Sequence, residues 1–569
     1  MSFKQLIAKK IINELKSVSK NIDLDVAQVK SILEIPPKQE LGDYAFPCFI
    51  LAKELKKSPA EIAKNLAETL DADFLESSVS KGPYVNFWIK KSALAKNILD
   101  ELEETIKVDK SDKIVLESPG PNTNKPLHLG HVRNMLLGVS LKNILSYVGH
   151  KVIPVDVVND RGIHICKSMI AYELFGNEKT PKSTGIKGDY FVGNYYVKFS
   201  QEAKKNPELD EQVKEMLLKW EAGDEKTRKL WQKMRDWCLE GFEKSFKNYG
   251  VIREKVYYES ETYKNGKKII LKNLSKNIFE KGEDGSVLAN LEHAGLGKKV
   301  LLRADGTSIY VTQDIELARQ RYEDYNMDRA IYIVGTEQIH HFKVLFEILK
   351  MIGFSFADKC YHLAYGMVYL PDGKMKSREG TIVDADTFRK DMIDLAKKEL
   401  KNRYDDLEEK ELNKRAESIA MGAVNFFILK YDAHKDFVYD PKQSLSFTGD
   451  SGPYIQYSHA RICSIERKAG ITPKEIDYEL LNLNSERNII NKLRDFNIVI
   501  KKSAESYRPS LIANYILELA QLFNNYYHET PVIVENEEIK MARLFLIGKV
   551  KYVLKEGLFL LNIKALEEM

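Results

Sequence analysis

Residues 113 to 158 carry the pattern that most restricts the fold. "KIVLES" is a short apolar run of buried-strand length, followed by the loop "SPGPNTNKPLHLGH" (118–131). In "HVRNMLLGVSLKNILSYVG", Val132, Met135, Leu136, Val139 and Leu145 recur at helical spacing, and "KVIPVDVV" is a second apolar run. Strand, loop, helix and strand within about 45 residues form a βαβ unit, which requires two parallel strands with the helix covering one face. "RAIYIVG" (329–335), with "HFKVLFEILKMIG" after it, and "YHLAYGMVYL" repeat the theme. The expected class is α/β, built on a parallel sheet.

On either side of this block the chain changes character. Residues 1 to about 107 alternate helical stripes with short strands and read as a small α+β domain. "SPAEIAKNLAETL" is a helix start, with Ser58 as cap, Pro59 in the first turn and Glu61 completing a capping box. "SKGPYVNFWI" places a Gly-Pro turn before an alternating aromatic strand, and the charged "ELEETIKVDKSDK" reads as a linker. A long charged helical stretch is expected over 205–248. From about 395 the strand signals stop. "LNKRAESIAMGAVNFFILKY", "SLIANYILELAQLFNNYYH" and "MARLFLIGKVKYVLKEGLFLL" have wide apolar faces, so 396–569 reads as a helical bundle.

Lys+Arg number 87 and Asp+Glu 83, so the net charge of +4 does not mark a nucleic-acid binder, although local basic patches on a large enzyme still can. Five cysteines without a C-x-x-C pair argue against a zinc module or disulfide framework and suit the reducing cytoplasm. No apolar run reaches the ~18 residues of a membrane span. The basic, amphipathic "MSFKQLIAKKIINELKSV" is compatible with a transit peptide, but Phe3, Leu6, Ile7, Ile11 and Leu15 form one stripe and Glu14 interrupts the charge, so a surface helix is simpler.

The sheet puts the loop 118–131 at a strand's carboxyl end and a helix N-terminus, where α/β folds bind ligands and free N–H groups favour phosphate. The chain has 11 histidines, yet His128 and His131 lie three residues apart. Gly130 permits close approach to the backbone, and the imidazoles add donors able to hold charge on a phosphorus under attack. A histidine pair that merely caps the helix is the plain alternative. With its flanks ("ES…PN…KPLHLGH"), the block resembles the HIGH signature of class I aminoacyl-tRNA synthetases, in the form typical of arginyl-tRNA synthetases.

"PDGKMKSREGTIV" (371–383) resembles the family's mobile lysine loop, with Lys374, Met375, Lys376, Ser377 and Arg378 where the generic motif reads KMSKS, and Gly380 following. The fourth position is Ser377 rather than lysine. Arginyl members often lack that lysine and use one upstream of the histidine loop, where Lys125 stands. A guanidinium substrate demands fixed carboxylates. "IYVTQDIELARQ" offers Tyr310 and Asp314 on one helical face, and "YYESETY" offers Glu259. The resemblance assigns Glu117, Asn122 and Gln338 to the substrate's amino and carboxylate ends. It places Pro121, Leu129, Met375 and the "GMV" backbone (Gly366, Met367, Val368) at ATP. "VNDRGIHICKSM" carries Arg161 and His164 where many members have Trp and Gln.

"ELGDYAFPCFILAKELKKSPAEIA", "GDSGPYIQYSHARICSI", "LFNNYYHETPVI" and "VLKEGLFLLNIKALEEM" extend the resemblance over nearly the whole chain. It implies a tRNA-elbow (D-loop) domain at 1–107, a Rossmann-type catalytic domain with insertions at 108–395 and a helical anticodon-binding domain at 396–569. Asn86 and Trp88 would meet the D-loop; Tyr454, Tyr457, Tyr527 and Met569 would face the anticodon, with core packing as the alternative for each. The implied substrates are L-arginine, ATP with Mg²⁺ and the arginine tRNA, and the family default is a monomer. The cysteine spacing excludes the ligand set of a cysteinyl enzyme, and no editing insertion is evident. A non-catalytic tRNA-binding paralogue predicts a broken histidine or lysine loop; a cofactor adenylyltransferase leaves the helical tail unexplained.

Overall fold

The computed structural model describes residues 3–18, 24–104, 106–307, 309–371, 383–404 and 407–569. The chain divides into two compact units. One comprises Met1–Glu104, Ile462–Phe496 and Gln521–Val553; the other comprises Thr105–Arg461, Asn497–Ala520 and Leu554–Met569.

In the first unit, the strand Tyr84–Ile89 lies between Tyr44–Pro47 and Leu75–Lys81 in an antiparallel sheet. The Gly-Pro turn at 82–83 makes the expected hairpin. Helix Phe3–Val18 buries Phe3, Ile7, Ile11 and Leu15 as its stripe requires. Helix Pro59–Thr69 starts where the sequence indicates, with Ser58 Oγ accepting the Glu61 N–H at 3.2 Å, but the Glu61 carboxylate pairs with Lys57 at 3.4 Å rather than closing a capping box. Helix Asn484–Arg494 also belongs here: Arg487 donates to the buried Asp43 carboxylate at 3.0 Å, which in turn accepts the Ile89 N–H at 2.8 Å.

The second unit contains the parallel sheet. Its strands are β1 (Lys113–Glu117), β2 (Lys151–Val158), β3 (Lys255–Tyr258), β4 (Arg329–Gly335) and β5 (Cys360–Tyr365). They run in the order β5-β4-β1-β2-β3, every neighbouring pair parallel. The chain therefore leaves β1 on both sides, and the crevice beyond the carboxyl ends of β1 and β4 is the topological switch point. Val115, Val155, Tyr332, Ile315, Leu345 and Ile348 share one apolar core. Full burial stabilises each such aliphatic side chain by roughly 1.5–3 kcal/mol.

The crossover helix α1 (Leu129–Tyr147) departs from a simple stripe. It is buried on most of its circumference, because Ser140 and Asn143 also donate to the carbonyls of Leu560 and Phe559. The charged stretch expected over 205–248 is two helices, Glu208–Ala222 and Glu225–Tyr249. The break falls at Gly223, whose φ of 86° favours glycine, and Asp224 caps the second helix. Strands do not end at 395. β5 stops before Gly366, and Val368–Tyr369 pairs in parallel with Phe437–Val438. A Cβ at Gly366 would lie 2.4 Å from Asp436 Oδ1, so glycine lets these two segments meet.

Candidate active site

Residues singled out from the sequence follow the carboxyl end of each strand of the parallel sheet. Glu117 ends β1 and the histidine loop follows it; Arg161 lies just past β2; Glu259 follows β3; Gln338 lies in the turn Thr336–Gln338 after β4; Gly366 follows β5. The topology thus gathers five separate segments at one edge of the sheet.

The histidine loop is ordered by its own imidazoles. His128 is the N-cap of α1, and its Nδ1 accepts the Gly130 N–H at 3.1 Å. His131 Nδ1 accepts the His128 N–H at 3.1 Å, and the rings lie 3.9 Å apart. Capping therefore engages only Nδ1 of each ring. A neutral ring that accepts through Nδ1 must carry its proton on Nε2, so each imidazole has one donor left. Both rings are held neutral: burial, with Lys125 nearby, takes His128 down to about 4, and burial, His128 and Lys125 lower His131 well below the usual range. Gly130 has a steric reason, since a Cβ there would lie 3.0 Å from the His128 ring.

A cavity of about 320 Å³ opens beside this loop, lined by Asn122, Asn124, Lys125, Pro126, Leu127 and His128. It is also lined by His164, by Tyr190, Gly193, Asn194, Tyr196 and Val197 of the helix Gly188–Ala203, and by Asp384. Burial lowers the Lys125 ammonium's pKa. The calls on Lys374, Met375, Lys376 and Ser377 lie outside the described residues. Just after them, Asp384 forms a β-bridge with His128, and Ala385 N–H donates to Leu127 O at 2.9 Å.

The structure buries several expected ATP contacts. Leu129 and Val368 are 0% and 2% exposed and Pro121 is also buried, so these side chains offer a ligand almost no surface. Gly366 N–H donates to Ala433 O at 2.8 Å, and Gly366 O accepts from Arg133 Nη1 at 2.5 Å. Met367 N–H donates to Asp436 Oδ1 at 2.7 Å, which leaves the exposed Met367 side chain as the available surface.

The carboxylates are spoken for unevenly. Glu117 accepts from the buried Arg321. Asp314, on helix Tyr310–Tyr325, contacts His341 Nε2 at 2.6 Å, and that bond raises the imidazole's pKa despite burial. Tyr310 is 76% exposed at the start of the same helix. Burial pushes Glu259 up to about 7, with Asp160 and Asp314 adding like charge and Arg161 opposing them. The Gln313 amide satisfies both its neighbours in one orientation, donating to Glu259 Oε1 and accepting from Arg161 Nη1, each at 2.9 Å. Gln313, His341 and Tyr190 were missed in the sequence, where nothing local marks them; Arg161 was visible only as a departure from the family pattern.

The RNA candidates divide. Asn86 is 4% exposed and offers little surface, whereas Trp88 is half-buried on the same strand. In the sheet-bearing unit, Tyr454 and Tyr457 are half-buried on helix Gly452–Ala469, Arg461 lies 4.7 Å from the Tyr457 ring, and Tyr404 donates to the Met569 carbonyl. Tyr527, in the other unit, is 37% exposed beside Phe523.

Three family models match the chain: "tRNA synthetases class I (R), catalytic domain" over 94–441, "DALR anticodon binding domain" over 455–569 and "Arginyl tRNA synthetase N terminal domain" over 5–89. An arginine–tRNA ligase of Treponema denticola is 45% identical over 557 residues, covering 94% of each chain. One from Bacteroides thetaiotaomicron is 40% identical with 100% of both covered. The Thermus thermophilus arginyl-tRNA synthetase structure superposes with a TM-score of 0.81 at 26% identity, covering 100% of both chains. The chain therefore belongs to the arginyl-tRNA synthetase family, class I ligases that attach arginine to tRNA with ATP.

Proposed function

We propose the following division of that reaction among the residues at the sheet edge. The arginine carboxylate attacks the ATP α-phosphorus; the bond to the β-phosphate oxygen breaks, giving arginyl-adenylate and pyrophosphate. A hydroxyl of the tRNA's terminal adenosine then attacks the adenylate carbonyl, AMP leaves, and the hydroxyl proton passes to solvent or phosphate. No protein nucleophile is needed. The site works by alignment and by stabilising phosphoryl charge.

His128 and His131 donate through Nε2 to the phosphates, and Lys125 supplies the ammonium from the adjacent loop. Lys374, Lys376 and Ser377 clamp the triphosphate from the other side, with Gly130, Met375 and the segment Gly366–Val368 bordering ATP. Glu259 and Asp314 read the guanidinium beside Tyr310; Glu117, Asn122 and Gln338 hold the amino-acid end. Mg²⁺ enters as the counter-ion of ATP and is assigned no ligand of the chain. Residues 1–107 meet the tRNA elbow, with Trp88 the surface aromatic, and 396–569 meets the anticodon through Tyr454, Tyr457, Tyr527 and the Met569 end. The chain acts as a monomer in the cytoplasm. Its five free cysteines suit a reducing compartment, and no helix among the described residues is long and apolar enough to cross a membrane.

The observation that carries this reading is the convergence of site residues from all five strands on one sheet edge. ATP–pyrophosphate exchange with each of the common amino acids, with and without total tRNA, tests it. Exchange driven by arginine alone is the expected result; exchange driven by another amino acid overturns the assignment.

A further inference from the structure

We propose that Arg161 is a positioning residue for substrate selection: through the Gln313 amide it fixes the Glu259 carboxylate that receives the substrate guanidinium. This rests on the reading of Glu259 given above and extends it to two residues with no assigned role.

The argument starts from donor arithmetic. A guanidinium has five N–H donors and no acceptor. Whatever faces Arg161 Nη1 must therefore offer an oxygen. Gln313 lies between that nitrogen and Glu259 Oε1, 2.9 Å from each. With its carbonyl claimed by Arg161, the amide presents NH₂ to Glu259. Turned the other way, it would set an oxygen against a carboxylate and a nitrogen against a guanidinium. Arg161 thus decides which way the amide points, and the amide decides which Glu259 oxygen stays available.

Arg161 is itself held fast. Its Nη2 donates to Glu221, its guanidinium lies 4.3 Å from the Tyr263 ring and 5.8 Å from that of Trp220, and its side chain is 12% exposed. Its Nη1 is thereby aimed at one partner. The relay crosses three elements: the segment after β2, the helix Tyr310–Tyr325 and the helix Glu259–Leu274.

The relay also acts on charge. Glu259 is half-buried and faces Asp160 and Asp314, two acids that disfavour its ionised form; Arg161 and the Gln313 amide favour it. Asp160 is tied to Ser260 and Arg235, and Asp314 to His341, so neither acid is free to move away. Removing the Arg161 charge leaves only the Gln313 amide to oppose the two acids. Arginine binding should then require a higher pH, since the ionised carboxylate is the form that receives a guanidinium.

The test is steady-state exchange kinetics on the full-length enzyme with tRNA present, from about pH 6.5 to about pH 8.5. Arg161→Gln should raise KM for arginine roughly tenfold near neutrality, the size of a one-unit change in ionisation. The rise should be larger at the acid end, with KM for ATP unchanged. Arg161→Lys should recover part of the loss. Gln313→Leu, which leaves the Arg161–Glu221 pair intact, should shift the arginine KM in the same direction and serves if Arg161→Gln does not fold. A merely structural role would depress kcat and thermal stability without moving the pH midpoint of the arginine KM, and that result overturns the proposal. So does an unchanged arginine KM in either variant while Glu259→Gln raises it strongly. If Glu259→Gln itself leaves the arginine KM untouched, the reading of Glu259 fails first and the relay falls with it.

Discussion

The two ends of the proposed site are built on opposite plans. The phosphate end is a contiguous loop, residues 125–131, ordered by its own backbone: two imidazoles cap a helix through Nδ1 and keep their Nε2 protons. The guanidinium end draws on Arg161, Glu259, Gln313, Asp314 and His341, which meet only after the sheet and its helices have packed. At one end the imidazoles are fixed locally and stay neutral; at the other the carboxylates are fixed by tertiary contacts and Glu259 titrates. Transferring phosphate charge needs donors that do not move, whereas choosing a cation needs carboxylates whose ionisation the fold controls.

Substitutions at each end sharpen this contrast. His131→Ala removes a donor of the phosphate end and should lower kcat by roughly 100- to 1,000-fold, the usual cost of one such donor. KM for ATP should change far less. A change confined to KM, measured by exchange at saturating arginine, would mean that the imidazole binds ground and transition states alike. At the other end, Glu259→Gln should raise the arginine KM about 100-fold, within the 2–5 kcal/mol typical of a truncated buried charge pair. Here KM for ATP should hold.

Smaller effects probe the packing. Gly130→Ala places a Cβ 3.0 Å from the His128 ring, which must shift by a few tenths of an ångström. We expect kcat to fall roughly tenfold, less than for a full 1 Å misplacement. His341→Asn should have the mildest effect. On the proposed reading of Asp314, a protonated His341 would compete with substrate for it, and the bond to Asp314 extends protonation to higher pH. Removing the imidazole should lower the arginine KM about twofold near pH 6.5 and by less near pH 8.5. Isothermal titration of arginine at both pH values reads this directly.

The same contrast explains how much was legible beforehand. β1, the histidine loop, α1 and β2 are consecutive, so periodicity and turn residues sufficed to place them, and the proposal that His128 and Gly130 meet a phosphate follows from that placement. Glu259 and Asp314 look like ordinary surface acids; only family resemblance singled them out. Gln313 and His341 carry no local signal, because their meaning lies in partners on other elements, and Arg161 stood out only as an oddity. Burial was also invisible residue by residue. Leu129, Val368 and Asn86 sit in plausible motifs, yet their side chains face the interior. The two-residue strand Phe437–Val438 was hidden inside a helical region, since its partner Val368–Tyr369 is distant in sequence.

The central claim is that the Glu259 carboxylate at one end of the proposed site titrates near neutrality and the imidazoles at the other do not. Both KM values, for arginine and for ATP, measured in one exchange assay across about pH 6 to about pH 9, test it most directly. Glu259 is pushed up to about 7, so it is protonated below that pH and must lose a proton to bind a guanidinium. The arginine KM should therefore rise about tenfold per unit as pH falls below 7 and level off above it. His128, near 4, and His131, held well below its usual range, stay neutral throughout, so the imidazoles should leave the ATP KM flat. An arginine KM independent of pH, or an ATP KM that rises in step with it, would contradict the account.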